Sequence, residues 1–514
     1  MKRIKFRERV GLHPVMTYLI LCLIVIVFSG VLSWFNVQAT YNQISTVTGE
    51  YQVTTEAVYS LFSLSGLKYI FTNTVANFAN FAVLPHLIII LLGIGVMEKS
   101  GFLKTFITFM TRKAKKITVT FALVLMCLFA SIMGDIAYII FIPISALLFL
   151  YGKRNPAIGI IASFAALTCG TGTNMFFTSV DSSLLTVTQI NANVLFPEYA
   201  ITTSSFFIIM LITFVILAFI ITNITENFVA KKLAKYDFTE EVVEEETTLN
   251  KKKKRGLLLA GIAGTVYLLF FIYNIIPGLP FSGNLLDYSQ NLYIDKLFSY
   301  DSFFSNGFVF IVALFFVILG LFYGIGAKTI KNNKDFIEAL GHSLNDIGKI
   351  LLMIFAAATF ISIFKQSNIG NVIAISIANL IGKTSFTGLP LLLLLFIGSA
   401  VSTLFLPSSL TKWSIIATTA VPVVMNAGIS PEFAQVVFRF GESAVLGLTP
   451  VFAYFIVYLA YLEKYSQDKK NIKMTQVIKL QVPYVLFSIA LFLVLIIVWY
   501  IIGLPLGIHS GVSL

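Results

Sequence analysis

Residues 112–154 read RKAKKITVTFALVLMCLFASIMGDIAYIIFIPISALLFLYGKR, and the length of their apolar middle decides the architecture. Arg112, Lys113, Lys115 and Lys116 precede it, and Lys153 and Arg154 follow it. Basic loops stay on the cytoplasmic side of a membrane, so the chain between them enters and returns on one side. Two full crossings need about 40 apolar residues plus a turn, more than residues 117–151 supply. Ser131, Gly134 and Asp135 interrupt the run near its middle. A re-entrant hairpin fits, and it is allowed only where its non-helical tip is buried in protein or lines an aqueous cavity.

The rest of the chain agrees with a membrane setting. Only 12% of residues are charged, against about 25% in soluble domains. Mean hydropathy is +0.89, and apolar runs of span length recur from end to end. The expectation is an all-α polytopic membrane protein, with residues 1–514 forming a single membrane domain in the lipid bilayer. The net charge of +12 sits in short loops and makes no basic face interleaved with aromatics, which argues against a nucleic-acid partner. Cys22, Cys127 and Cys169 lie inside apolar runs, and His13, His86, His342 and His509 are scattered, so neither a disulfide framework nor a metal site is expected. No cofactor is expected either. Lys2 to Arg9 followed by Met16 to Trp34 reads as an uncleaved signal anchor.

The basic residues also set the topology. The N-terminus is cytoplasmic, residues 35–55 lack Lys and Arg and lie outside, and residues 55–78 lie along the outer interface. A cytoplasmic linker covers 227–256, basic at Lys231, acidic through Glu240 to Glu246 and basic again at Lys251 to Arg255. Residues 278–302 are outside, Lys328 to Lys334 and Lys464 to Lys473 are inside, and the tail after Gly503 ends outside. The location expected is the cell (inner) membrane.

The same order of elements then occurs twice. A span, a hairpin, a broken span and a closing span start near 80, 117, 157 and 201, and again near 348, 388, 431 and 481. The first unit (80–226, hairpin 117–151) starts outside and ends inside, whereas the second (348–502, hairpin 388–425) does the reverse. The stretches 16–35 and 257–327 are scaffold spans. Inverted repeats with discontinuous helices are the architecture of many secondary transporters, with substrate held near the midplane.

The polar residues inside these units are few. The first broken span runs from Ala166 to Asp181 through Gly170, Thr171, Gly172, Thr173 and Asn174. Unwound carbonyls, hydroxyls and amides suit Na⁺, and a half-helix N-terminus suits a carboxylate. The second hairpin carries Thr403, Lys412 and Trp413 near its tip, and the second broken span carries Arg439 and Glu442 on one helix face. Ionisable groups cost roughly 2.5–3.5 kcal/mol at a span centre, so Asp135, Asp181, Arg439 and Glu442 should face a cavity or a partner. Arg439 is read as meeting a substrate carboxylate while Asp181 or Glu442 binds the coupling cation, or else Arg439 and Glu442 form a structural pair. Asp135 caps a helix or serves the site. Trp413 is an anchor or stacks on an aromatic substrate. Lys412 is long enough to snorkel to the interface.

At these motifs the chain resembles the AbgT family, the aminobenzoyl-glutamate transporters. The matching segments are Gly93 to Gly101, Asn174 to Asp181, Pro277 to Pro280 with Ser282 to Asn284, Lys412-Trp413, Arg439 to Pro450 and Gly503 to Gly507. The resemblance implies a homodimer of bowl-shaped protomers, each with about nine transmembrane helices plus two re-entrant hairpins. It implies ion-driven transport of p-aminobenzoyl-glutamate or a related aromatic or amphipathic carboxylate, by symport or antiport. The alternative it implies is a proton-driven exporter of sulfonamide-type antimetabolites. Family site residues fall on Asp181, Trp413, Arg439 and Pro450, and Asn174 joins them as a substrate contact. The coupling-ion set, for Na⁺ or H⁺, is Glu442, Thr403 and Asp181. Three positions depart from the pattern: Glu442 stands for Asp, Thr403 for Asn and Leu410 for Ser. A proton carried by a desolvated Glu442 is then an option beside sodium.

Other classes fit less well. An intramembrane hydrolase needs a nucleophile beside a base, and no intramembrane His accompanies Ser179, Ser408 or Ser443. The chain is therefore not expected to be an enzyme. A passive channel would also place polar hairpin tips along a pore, and flux indifferent to ion gradients would distinguish it.

Overall fold

The computed structural model describes residues 12–44, 51–238, 250–299, 301–345, 347–467 and 472–514. Apolar helices dominate it. Among the described residues, nine helical stretches are long and apolar enough to cross a membrane. Two of the nine are first arms of hairpins, while two broken helices fall short on length. Setting the hairpin arms aside and counting each broken helix as a span gives nine again.

The elements of the first unit are α3 (Val83–Lys99), α4 (Phe102–Thr111), the hairpin α5 (Lys116–Ala130) and α6 (Ile136–Tyr151), the broken pair α7 (Pro156–Gly170) and α8 (Ser179–Asn193), and α9 (Phe207–Ile224). They follow α1 (Pro14–Trp34), the strands β1 (Gln38–Ile44) and β2 (Tyr51–Ala57), and α2 (Leu64–Ala79). Two scaffold helices, α10 (Lys251–Ile275) and α11 (Phe303–Ala327), come next and pack on each other, with α11 against α3. The second unit is α12 (Ile347–Gln366), α13 (Ile369–Lys383), the hairpin α14 (Gly388–Phe405) and α15 (Ser409–Asn426), the broken pair α16 (Pro431–Val445) and α17 (Phe455–Lys464), and α18 (Met474–Ile502). The closing helices begin at Phe207 and Met474, later and earlier than their sequence-based starts.

The arms α5 and α6 have 15 and 16 residues. At 1.5 Å per residue each reaches about 22–24 Å, short of the roughly 30 Å hydrocarbon core. A 3₁₀ turn over Ser131–Met133 and Gly134 at φ +60° reverse the chain between them. The two hairpins lean on the broken helices: α5 and α6 pack against α7, and α14 and α15 pack against α16. Both breaks fall in the middle of the protein, where α16 packs against α7 and α8.

Three features extend or correct the sequence reading. Helices α4 and α13 fill the interval before each hairpin, and each follows a residue in the left-handed region, Gly101 (φ +86°) and Asn368 (φ +61°). The repeat is therefore closer than spacing alone suggests. The segment at 35–55, read as lying outside, contributes to an antiparallel pair of strands, with Gln38 opposite Ala57 and Ile44 opposite Tyr51. It docks on α13, where Asn379 Nδ2 donates to the Thr40 carbonyl at 3.0 Å and Asn368 Nδ2 donates to Glu56 at 2.7 Å. Finally, Lys251 to Arg255 are the first turns of α10, N-capped by Asn250, rather than linker. The acidic part of that linker, Glu240 to Glu246, and the basic residues Lys2 to Arg9 lie outside the described residues.

Candidate functional site

Helix α16 is buried along its whole length, yet it carries Glu432, Gln435, Arg439 and Glu442. Such a helix is stable only if its polar groups are partnered. One turn brings Arg439 Nη1 to Glu442 Oε2 at 2.8 Å. The same Nη1 donates to Ser409 Oγ at 3.1 Å, and Nη2 donates to the Thr171 carbonyl in the first break. Nη2 also lies 3.5 Å from Asp181 Oδ1. Arg439 Nε is buried with no partner among the described residues. The guanidinium thus ties α16, the first helix break and the second hairpin together.

Close approach of the first break to α16 requires glycine at 172. A Cβ there would stand 2.6 Å from Ser443 Oγ and 2.8 Å from the Arg439 carbonyl. The Gly172 amide instead donates to Ser443 Oγ at 2.8 Å.

Glu442 is fully buried between two cations. Its Oε1 accepts from Ser409 Oγ at 2.6 Å and faces Lys412 Nζ at 3.3 Å. Lys412 corrects the sequence reading: it does not snorkel but is wholly buried, and its ammonium donates to Thr403 Oγ1 at 2.5 Å. Buried charges cost several kcal/mol each unless paired with good geometry, and here two cations and the carboxylates of Glu442 and Asp181 balance.

Asp181 works in two directions. One oxygen, Oδ2, accepts from the Thr178 backbone N–H at 3.1 Å and Thr178 Oγ1 at 2.7 Å, forming a capping box at the start of α8. The other faces Arg439. Asn174 bridges the first break to the first hairpin tip: Ser131 Oγ donates to its Oδ1, and its Nδ2 donates to the Thr171 carbonyl at 3.3 Å. Asp135, at the position before α6, makes no capping bond and opens into the cavity described next.

A cavity of about 710 Å³ lies where the two hairpin tips and the two breaks converge. Asp135, Thr171, Asn174, Ser409, Arg439 and Glu442 supply part of its polar wall, with Lys365 a further cation on it, and Phe364, Phe405 and Phe452 part of its apolar wall. A smaller cavity of about 250 Å³ lies on the other side of the guanidinium, lined by Asp181, Gln435 and Met210 among others. Arg439 and Asn174 line both. They form the partition.

The remaining expected residues stand back from these cavities. Trp413 is fully buried, donates from its indole N–H to Thr188 Oγ1 at 2.8 Å and sits 4.5 Å from the Phe438 ring. It lines neither cavity and packs between α15 and α8, the place of the anchor of the two roles read for it. Thr403 is occupied by Lys412 and donates to the Ser399 carbonyl at 2.7 Å, away from both cavities. Pro450 lies in the second break without lining a cavity, and its missing N–H helps keep the helix open there. Leu410 places no oxygen near Glu442, but Ser409, one residue earlier, does. Ser409 and Lys412 were hidden in sequence because only the folded hairpin returns them to α16.

A family model described as the AbgT putative transporter family matches residues 4–514. The p-aminobenzoyl-glutamate transport protein of Escherichia coli (strain K12) is 28% identical over 503 residues, 97% of this chain and 95% of the relative. Among solved structures, the Alcanivorax borkumensis YdaH transporter, reported with an unusual topology, is 27% identical, covers 96% of this chain and 100% of its own, and has a TM-score of 0.48. MtrF of Neisseria gonorrhoeae, reported as illuminating a class of antimetabolite efflux pumps, is 26% identical, covers 98% of both chains and has a TM-score of 0.49.

Proposed function

The chain belongs to the AbgT putative transporter family, and from that premise we propose that it is an ion-coupled secondary transporter of p-aminobenzoyl-glutamate or a related aromatic carboxylate. The observation that carries this reading is Arg439, whose guanidinium lines both cavities and stands at the partition between them. The larger cavity is of the size that holds a drug-sized ligand, roughly 300–1,000 Å³. In this reading Arg439 takes the substrate carboxylate, exchanging the 3.5 Å contact to Asp181, the longest of its contacts. Asn174 and Thr171 orient the substrate, and Phe364, Phe405 and Phe452 take over the aromatic-contact role first read for Trp413.

Charge balance gives a reason for ion coupling. Arg439 and Lys412 offset Glu442 and Asp181, so an arriving carboxylate leaves the centre with net negative charge. In a low-dielectric site that excess is costly, and a co-transported Na⁺ or H⁺ offsets it. Asp181 and Glu442 are the carboxylates we assign to it, with Thr403 behind Glu442. We further propose a cell-membrane location with a cytoplasmic N-terminus and an external C-terminus, from the basic-loop distribution, and a homodimer, from the family resemblance.

The test is uptake of labelled p-aminobenzoyl-glutamate into proteoliposomes under a Na⁺ gradient and a pH gradient imposed separately. Saturable uptake driven by one gradient is expected. Failure under both, from folded protein, would overturn the substrate class. Sulfonamide efflux in the same vesicles would then favour an antimetabolite exporter.

A further inference from the structure

Lys412 lies deeper than any role in substrate contact requires. It is fully buried and lines neither cavity. It projects from the first turn of α15, just past the hairpin tip, toward Thr403 in the last turn of α14 and Glu442 on α16. Its ammonium has three neighbours: Thr403 Oγ1 at 2.5 Å, Glu442 Oε1 at 3.3 Å and the Phe438 ring centroid at 5.3 Å. The Thr403 hydroxyl hydrogen is committed to the Ser399 carbonyl at 2.7 Å, so its lone pairs face the ammonium. Thr403 is thereby an acceptor only.

A carboxylate, an acceptor-only hydroxyl and an aromatic face, gathered from both hairpin arms and a broken helix, make a seat for a monovalent cation. Hard cations such as sodium take oxygen ligands at these places in transporters with discontinuous helices. Here the seat is taken by a cation of the chain itself. The other charges facing it are Arg439 on the same helix as Glu442, Asp181 on α8 and Asp135 at the first hairpin tip. The ammonium already stands 3.3 Å from Glu442, so a sodium ion added beside Lys412 would meet a like charge in a buried, low-dielectric seat.

We propose that the Lys412 ammonium is a tethered substitute for a bound sodium ion, so that this protein moves its substrate without sodium. The inference rests on the transporter reading above and deepens it, because it names which ion the Glu442–Thr403 seat excludes. The side chain holds the second hairpin to α16 as a bound ion would, but it does not dissociate. Truncation to alanine opens a seat that sodium fills.

The experiment compares wild type, Lys412→Ala and Lys412→Met in sodium chloride and in N-methyl-D-glucamine chloride at equal concentration. One readout is exchange of labelled p-aminobenzoyl-glutamate across proteoliposomes. The other is thermal unfolding of the purified protein in detergent, which needs no substrate. Wild type should exchange equally in both salts and unfold at the same temperature. Lys412→Ala should exchange more than about tenfold more slowly without sodium, because Glu442 loses a buried partner, and recover as sodium rises. Its unfolding temperature should climb with sodium, as ligand binding to the folded state requires. Lys412→Met refills the seat without charge and should respond to sodium in neither readout. Sodium that accelerates or stabilises the wild type would overturn the proposal, and the wild-type arm needs no variant to fold. Folded Lys412→Ala that ignores sodium in both readouts would overturn it too. Absence of exchange by the wild type in either salt would instead count against the substrate reading, leaving the unfolding readout to decide on Lys412.

Discussion

The two halves of this protein repeat one plan but divide the labour unequally. In the first half the hairpin tip is a 3₁₀ turn and a left-handed glycine, with Asp135 open to the cavity; among the described residues the ion pair on this hairpin, Arg154–Glu226, fastens its base through Thr120 and leaves the tip unfastened. Its broken helix contributes backbone and amide groups at Thr171, Gly172 and Asn174, plus one carboxylate at Asp181. In the second half the hairpin is fastened from inside: Ser409 and Lys412 both reach Glu442, and Glu442 and Arg439 share a face of α16. At the hairpin tips the second half therefore holds the fastened charge, and the first supplies a more open wall. A repeat reproduces helix order and packing, but each copy keeps its own polar chemistry.

The strongest way to break this contrast is to remove the central carboxylate. Glu442→Ala leaves Lys412 and Arg439 buried without their main partner, which should cost on the order of 3–5 kcal/mol of stability and abolish transport. Thermal unfolding and uptake measured on the same preparation check both, and Glu442→Asp should recover part of each. Unaltered unfolding in Glu442→Ala would show that the charge cluster is not what fastens the second half.

The next contrast sets Arg439 against Asp181. Arg439→Ala should reduce uptake by more than about a hundredfold, the scale of a lost buried charge partner. Asp181→Asn keeps the capping geometry at α8 and loses a partly solvated 3.5 Å contact, worth up to about fivefold, along with one of the two carboxylates assigned to the coupling ion while Glu442 remains, so a smaller loss than that of Arg439→Ala is expected. Equal losses would mean that the two halves contribute equally to binding.

Gly172→Ala probes the seam itself. The added methyl meets Ser443 Oγ and the Arg439 carbonyl well inside contact distance, so the first break and α16 must separate at a cost of about 1–3 kcal/mol. Proteolytic sensitivity and unfolding temperature should both register it. The smallest effect is expected at Trp413→Phe, which loses one hydrogen bond to Thr188, worth about 1 kcal/mol, and leaves KM unchanged. A large rise in KM there would return Trp413 to the binding site.

How far the sequence reading reached depended on whether a property was local. Spans and hairpins were legible because hydropathy and loop charge are read along the chain, and so was the Arg439–Glu442 pairing, which is one helical turn apart. Lys412 was not, because a lysine near a polar hairpin tip has the same local sequence whether it snorkels or is driven inward by packing of α15 on α8 and α16. For Trp413 the sequence left an anchor and a stacking role side by side, since only the fold shows that Thr188 and Phe438 stand at its edge and face. Helices α4 and α13 were hidden by merging with the adjacent spans in hydropathy. The strands at 38–57 did carry a signal, since Ala39, Tyr41, Tyr51, Val53 and Thr55 alternate with polar residues in the manner of an exposed hairpin.

The central claim is that a substrate carboxylate is held by Arg439 and moved by an ion gradient. The most direct test measures accumulation of labelled p-aminobenzoyl-glutamate by wild type, Trp413→Phe and Arg439→Ala in one set of proteoliposomes under an imposed gradient. Saturable accumulation by the first two and none by Arg439→Ala is the expected result. Accumulation by Arg439→Ala at the wild-type rate, or uptake by the wild type that ignores every gradient, would contradict it.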